Sequence, residues 1–154
     1  MNKDFSIDDL LVGHESIALV AHDAGAAAHI ASWFSSSTKK LSIYAEGPAE
    51  DMFRKVFDGR IEESLSAAVD TSSVVITGTG WSSDLEHQAR KLAFSRNIPS
   101  VAVLDHWVNY RERFKRNGMS QLPGELWVSD AEAATLASLM FPKIPVKQLP
   151  NYWL

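Results

Sequence analysis

Apolar residues along this chain fall into two alternating rhythms. Short runs rich in branched residues, Ile17-Ala18-Leu19-Val20, Leu41-Ser42-Ile43-Tyr44, Val74-Val75-Ile76-Thr77 and Val101-Ala102-Val103-Leu104, are apolar at nearly every position. Such continuity suits strands covered on both faces. Leu126-Trp127-Val128 is a weaker fifth run, and Val146-Lys147-Gln148-Leu149 is a candidate last strand. Segments with helical spacing separate them. Ala24 to Phe34 is alanine-rich and apolar around most of its circumference, as a buried helix is. Pro48 stands at a first helical position, followed by Met52, Phe53, Val56 and Phe57, with Gly59 as the stop. Ser83 with Glu86 and Ser129 with Glu132 read as capping boxes. They precede helices carrying Leu85, Ala89, Leu92 and Ala93, and Ala133, Leu136, Ala137 and Met140. A further helix is expected over 61–69.

Strands alternating with helices imply right-handed crossovers and a parallel sheet. The expected fold is therefore α/β: a single Rossmann-like, doubly wound domain over 1–154, with a mainly parallel sheet of about six or seven strands. A length of 154 residues suits one domain with one well-buried core, and 45% hydrophobic with 22% charged residues is an ordinary globular balance. The net charge of −4 gives no general attraction to nucleic acid or anionic lipid, so neither nucleic acid nor membrane is expected as a partner. With no cysteine, disulfides, thiolate metal sites and a cysteine nucleophile are excluded. The acidic start, with Asp4, Asp8 and Asp9, is not a secretory signal, and no apolar run is long enough to span a bilayer. A cytoplasmic location is the expectation. The closing Tyr152-Trp153-Leu154 is apolar, and it should pack on this domain, on a second copy or on a partner chain.

In open parallel sheets ligands bind beyond the carboxyl ends of strands, where the strand order reverses. Three loops leave such ends here. In the first, His22-Asp23-Ala24-Gly25, Gly25 allows close backbone approach and the helix start offers N–H groups to an anion. Asp23 reads equally well as an N-cap. One glycine stands where a dinucleotide fingerprint needs three, so no nicotinamide cofactor is expected. The second, with Gly78, Thr79, Gly80, Trp81, Ser82 and Ser83, combines glycines, hydroxyls and a helix start into a cradle for phosphate or carboxylate. No lysine follows, so it is not a P-loop. A plain strand-to-helix turn accounts for Ser83 and Glu86 but not for Thr79 or Trp81.

The third loop holds Asp105, His106, Trp107, Asn109, Tyr110, Arg111 and Arg113. A carboxylate beside an imidazole suits general acid–base work. The arginines could clamp a phosphate, and Trp107 or Tyr110 could stack on a ring. The competing reading is a loop of solvated charges with inward aromatics. His22, Asp23, Asp105 and His106 are metal-ligand types without supporting spacing, and neither a metal nor any other cofactor is expected. His14, His29 and His87 read as surface or satisfied helix histidines. Four basic residues in 111–116 are too few, in an acidic chain, to suggest nucleic acid.

Together these loops resemble a known pattern. The chain is similar to the N-terminal half of proteins related to UDP-N-acetylglucosamine 2-epimerases and glycosyltransferases of the two-domain B fold. The matching stretches are Ala21-His22-Asp23-Ala24-Gly25, Thr77-Gly78-Thr79-Gly80-Trp81, residues 99–114 and Leu122-Pro123, with 105–114 the most specific. The resemblance implies a Rossmann-like domain facing a second one across a cleft. The N-terminal domain of such proteins offers the acceptor side and some catalytic groups, and the C-terminal domain holds most nucleotide-sugar contacts. This chain ends at Leu154, about where the linker to that second domain would begin, so a partner chain is expected to complete the site. The expected role is sugar- or nucleotide-sugar-related, glycosyltransferase- or epimerase-like, in surface polysaccharide metabolism. His22, Asp105 and His106 are then the acid–base candidates. Asp23, Gly25, Gly78, Thr79, Gly80, Trp81, Ser82, Ser83, Trp107, Asn109 and Arg111 would surround a small anionic or sugar ligand. The alternative is a non-catalytic module for binding a small anion or for assembly.

Overall fold

The computed structural model describes residues 5–105 and 109–152. After α1 (Ile7–Leu10), the chain runs through β1 (Ser16–Ala21), α2 (Ala24–Phe34), β2 (Lys40–Ala45), α3 (Pro48–Val56) and α4 (Leu65–Asp70). It continues through β3 (Val74–Thr77), α5 (Leu85–Ser95) and β4 (Ser100–Val103) to a 3-10 turn (Glu112–Phe114). A small hairpin of β5 (Lys115–Arg116) and β6 (Met119–Ser120) follows, then β7 (Glu125–Val128), α6 (Ala131–Met140) and β8 (Val146–Gln148). Six strands form one wholly parallel sheet in the order β2-β1-β3-β4-β7-β8. This is the doubly wound, Rossmann-like architecture anticipated from the sequence.

Period-two alternation decides which side chains each helix layer covers. On one face Ile17, Leu19, Ile43, Ile76, Val101, Val103 and Trp127 pack with α1, α2 and α3. On the other, Ala18, Val20 and Val75 meet α4 and α5, while Ala102, Leu126 and Val128 meet α6 and Phe114. Both faces being covered is why these strands read as continuous apolar runs rather than alternating ones. From β1 the chain crosses to β2 on one side, then returns past β1 to β3 and builds outward. The order reverses between β1 and β3, so the ligand-prone edge lies at Ala21 and Thr77.

Several local expectations are corrected. The helix expected over 61–69 starts only at Leu65, with Ser64 Oγ accepting the Ala67 N–H. Residue 62 cannot join it because the Glu62 N–H donates to Ile43 O at 2.7 Å, extending the sheet edge. Asp130, not Ser129, caps α6, accepting from the Ala133 N–H at 2.7 Å. Ser83 and Glu86 do not form a capping box either: Asp84 occupies the N-cap position of α5, and the Glu86 carboxylate is committed elsewhere. The hairpin turns through Asn117 and Gly118, both with positive φ, as a two-residue turn between right-twisted strands requires. Near the C-terminus Leu149 is buried and Trp33 Nε1 donates to Pro150 O at 2.8 Å, so the chain packs back on α2 as far as Pro150. Tyr152 is exposed, and Trp153 and Leu154 lie outside the described residues. Among the described residues no helix is long and apolar enough to cross a membrane.

Candidate functional site

His22 and Asp23 leave the end of β1 at the point of reversal. Their side chains meet, with His22 Nδ1 and Asp23 Oδ1 2.6 Å apart. Ser82 Oγ, from the loop after β3, donates to the same carboxylate oxygen at 3.1 Å. Asp23 occupies the N-cap position of α2 yet makes no cap with its side chain, because His22 and Ser82 hold it. A carboxylate at Nδ1 places the ring proton there and leaves Nε2 as the basic nitrogen. The Nε2 edge of the ring faces Gly47, which precedes α3. A Cβ on Gly47 would approach Nε2 to 2.6 Å, and φ of +59° independently favours glycine there.

Beneath this pair lies Glu86, in the first turn of α5 and fully buried. Its Oε2 accepts the His22 N–H at 3.2 Å, and its Oε1 accepts the Gly80 N–H at 2.8 Å. One carboxylate thus spans the loops after β1 and β3. Gly78 makes room for it, since a Cβ there would fall on Oε2 and crowd Ala26. Burial pushes the Glu86 carboxyl up to about 7, against the opposing pull of Arg90 and the two N–H donors. Arg90, one turn further along α5, is fully buried too. Its Nη1 donates to Thr77 Oγ1 and Gly78 O, both at 2.8 Å, and its guanidinium lies 5.0 Å above the Phe114 ring centroid. Burial lowers it to about 10, with Glu86 acting in the opposite sense.

A second ion pair closes the far side. Arg113 Nη1 donates to Asp105 Oδ1 at 3.0 Å and to Thr79 Oγ1 at 3.2 Å, and both charged groups are shielded from solvent. Thr79 Oγ1 in turn donates to Val103 O at 2.8 Å. The other Asp105 oxygen lies against Gly25, where any Cβ would overlap it. Arg116 ties the hairpin to the second loop, donating to Asp84 Oδ1 at 2.7 Å and to the carbonyls of Gly80 and Ser83 at 3.1 Å.

The structure therefore brings His22, Asp23, Gly25, Gly78, Gly80, Ser82 and Asp105 to one edge. Trp81 is half-exposed beside Gly80. Thr79 faces the interior, and Ser83 Oγ accepts the Leu85 N–H at 3.1 Å. Asn109 and Arg111 are exposed, their carbonyls accepting the N–H groups of Arg113 and Phe114. His106 and Trp107 lie outside the described residues. Of the remaining histidines, His14 Nδ1 lies 2.9 Å from Ser73 Oγ and His29 stacks on Trp33. His87 is not a surface or satisfied group: it is buried, and its Nδ1 has no partner among the described residues.

Glu86 and Arg90 are the members that sequence reasoning did not assign to the site, and Arg113, expected as a phosphate clamp, is instead paired with Asp105 in the interior. Buried charged residues are rare unless paired, and nothing in helical spacing distinguishes an inward Glu86 from a cap. Among the described residues no three His, Asp or Glu side chains stand together in a way that would hold a metal ion. The arrangement defines an α/β domain with a carboxylate-oriented histidine at its topological reversal. No known protein family, curated protein or solved structure matches the chain.

Proposed function

We propose that this chain binds a sugar-class ligand at the β1/β3 edge and that His22, oriented by Asp23, moves a proton on one of its hydroxyls. The observation that carries this reading is the 2.6 Å His22–Asp23 contact at the reversal point, with Nε2 left as the base. In this reading the acceptor hydroxyl loses its proton to Nε2, and Asp23 stabilises the imidazolium that results. The resemblance to the acceptor-side domains of B-fold glycosyltransferases and 2-epimerases supplies the substrate class and a role in surface polysaccharide metabolism. Half-exposed Trp81 offers a ring face on which a sugar can stack.

Electrostatics favour a neutral, hydroxylated ligand over a bare phosphate. Two N–H groups at this edge, those of His22 and Gly80, are already held by Glu86. Carboxylates of Asp23 and Asp105 lie against the same edge, against Gly80 and Gly25. Carboxylates accept hydrogen bonds from sugar hydroxyls but repel phosphate oxygens. A module for small anions is for that reason the weaker alternative.

The test is a thermal-shift screen with neutral hexoses, N-acetylhexosamines, UDP-sugars, sugar phosphates and inorganic phosphate alone. Binding to the folded state stabilises by about 2.7 kcal/mol at a hundredfold excess over Kd. A sugar or sugar nucleotide should raise Tm while phosphate alone leaves it unchanged, and any turnover found with that ligand should vanish in His22→Ala. Equal shifts with phosphate alone, or none with any sugar, would sink the proposal.

A further inference from the structure

We infer that Glu86 is a positioning residue: its carboxylate ties the loop carrying His22 and Asp23 to the loop carrying Gly80 and Ser82, and so sets the geometry of the pair in register with its neighbours. The functional consequence rests on the reading of His22 and Asp23 as the reacting pair, whereas the tie itself does not.

The geometry is specific. Glu86 is fully buried, and its two oxygens take one N–H from each loop, at 3.2 Å from His22 and 2.8 Å from Gly80. Backbone His22 N and Gly80 N belong to chains leaving different, adjacent strands, β1 and β3. Through Gly80 the tie reaches Asp23, whose carboxylate occupies the space a side chain at 80 would fill. Ser82, two residues on, donates to that same carboxylate. Loss of either half of the tie therefore removes one of the bonds that hold a loop touching the His22–Asp23 pair. Gly78 is shaped to this role, because only a glycine leaves room for Oε2 beside Ala26.

The tie depends on protonation. An ionised carboxylate accepts strongly at both oxygens, whereas a proton makes one oxygen a donor and a much weaker acceptor for its N–H group. The charged groups that act on Glu86 come from its own helix and from the β1–α2 loop. Arg90 on its own helix favours the ionised form, and Asp23 from the β1–α2 loop disfavours it. The His22 ring is carried by that same loop, and Arg116 from the hairpin holds Gly80 O and acts on Arg90. Burial outweighs these, so the carboxyl titrates at about 7 and the complete tie belongs to the alkaline side of neutrality.

The experiment is a pH titration of the full chain by NMR, following the Glu86 side-chain carboxyl carbon and the amides of His22 and Gly80. Both amides should move together with the carboxyl, with a midpoint near 7, while the sheet amides of Leu19 and Ile76 stay still. In Glu86→Gln the shared transition should vanish. In His22→Ala, which keeps the backbone N–H but removes the imidazole, it should persist. Amides that titrate in Glu86→Gln as they do in the native chain, or that do not follow the carboxyl in the native chain, would overturn the inference. Should Glu86→Gln fail to fold, the native and His22→Ala titrations still decide it. Co-titration without any sugar binding would uphold the tie and reject the proposed reaction; sugar binding without co-titration would do the reverse.

Discussion

Gly80 and the carboxylate of Asp23 contend for one position: a Cβ added to Gly80 would coincide with the Asp23 oxygens. The second loop can therefore close over the first only because residue 80 has no side chain. Gly80→Ala should push Asp23 away from His22 and from Ser82. Overpacking of this kind costs about 1–3 kcal/mol, so urea denaturation should show a fall of that size. The sharper readout is the His22 ring. Its nitrogen shifts should report Nδ1–H in the native chain and a mixture of tautomers in Gly80→Ala. Unchanged ring shifts would mean that Asp23 does not set the tautomer.

Arg111 and Arg113 stand two residues apart and should behave oppositely. Arg113 is 3% exposed and pairs with Asp105, which is 9% exposed. Breaking a buried ion pair by removing one partner costs about 3–5 kcal/mol. Arg113→Met should lose roughly that amount. Arg111→Met, at an exposed position, should change stability by less than about 0.5 kcal/mol. Chemical denaturation of the two variants side by side checks this, and equal losses would contradict the buried pair.

Glu86 makes stability depend on pH in a definite direction. Its carboxyl is raised from an ordinary 4.5 to about 7 in the fold. A raised value means the folded state holds the proton more tightly than the unfolded chain. The stabilisation is complete below about 4.5 and is lost as pH rises through about 7. Over that window the slope approaches about 1.4 kcal/mol per pH unit at most. Denaturation midpoints from pH 5 to 8 should fall in the native chain, and Glu86→Gln should flatten the decline. A decline of equal slope in Glu86→Gln would assign it to other groups. Ordering the site above neutrality thus costs global stability, as is common where burial of charge serves geometry.

Much of the fold was legible because it rests on repeated, redundant signals. Each inner strand announces itself through consecutive branched residues, and α2 is read correctly from 24 to 34. The site was legible only by location. His22, Asp23 and the 77–84 loop sit where the topology predicts, yet their partners come from residues with other plausible duties. Glu86 follows Ser83 at capping-box spacing but points inward, a choice decided by Gly78 and Ala26 across the sheet. Arg113 is indistinguishable from Arg111 by composition; the Asp105 carboxylate and Thr79 hold one in the interior while the other is exposed. The hairpin had a readable signal in Asn117-Gly118, overlooked because its strands are only two residues each.

Gly47 offers the most selective test of what keeps His22 in place. At φ +59°, ψ −145° its backbone lies in a region that essentially only glycine occupies. Gly47→Ala therefore carries a backbone penalty of order 1–3 kcal/mol wherever its Cβ points. That Cβ also meets the His22 ring, approaching Nε2 to 2.6 Å and Cδ2 to 2.9 Å. The two contributions separate in a double-mutant cycle with His22→Ala. In the His22→Ala background the ring is gone, and Gly47→Ala should cost the backbone penalty alone. In the native background it should cost more, with a coupling on the order of 0.5–3 kcal/mol, the range for residues in contact. Strict additivity would show that the ring moves aside without cost, and that Gly47 is required for its backbone conformation only.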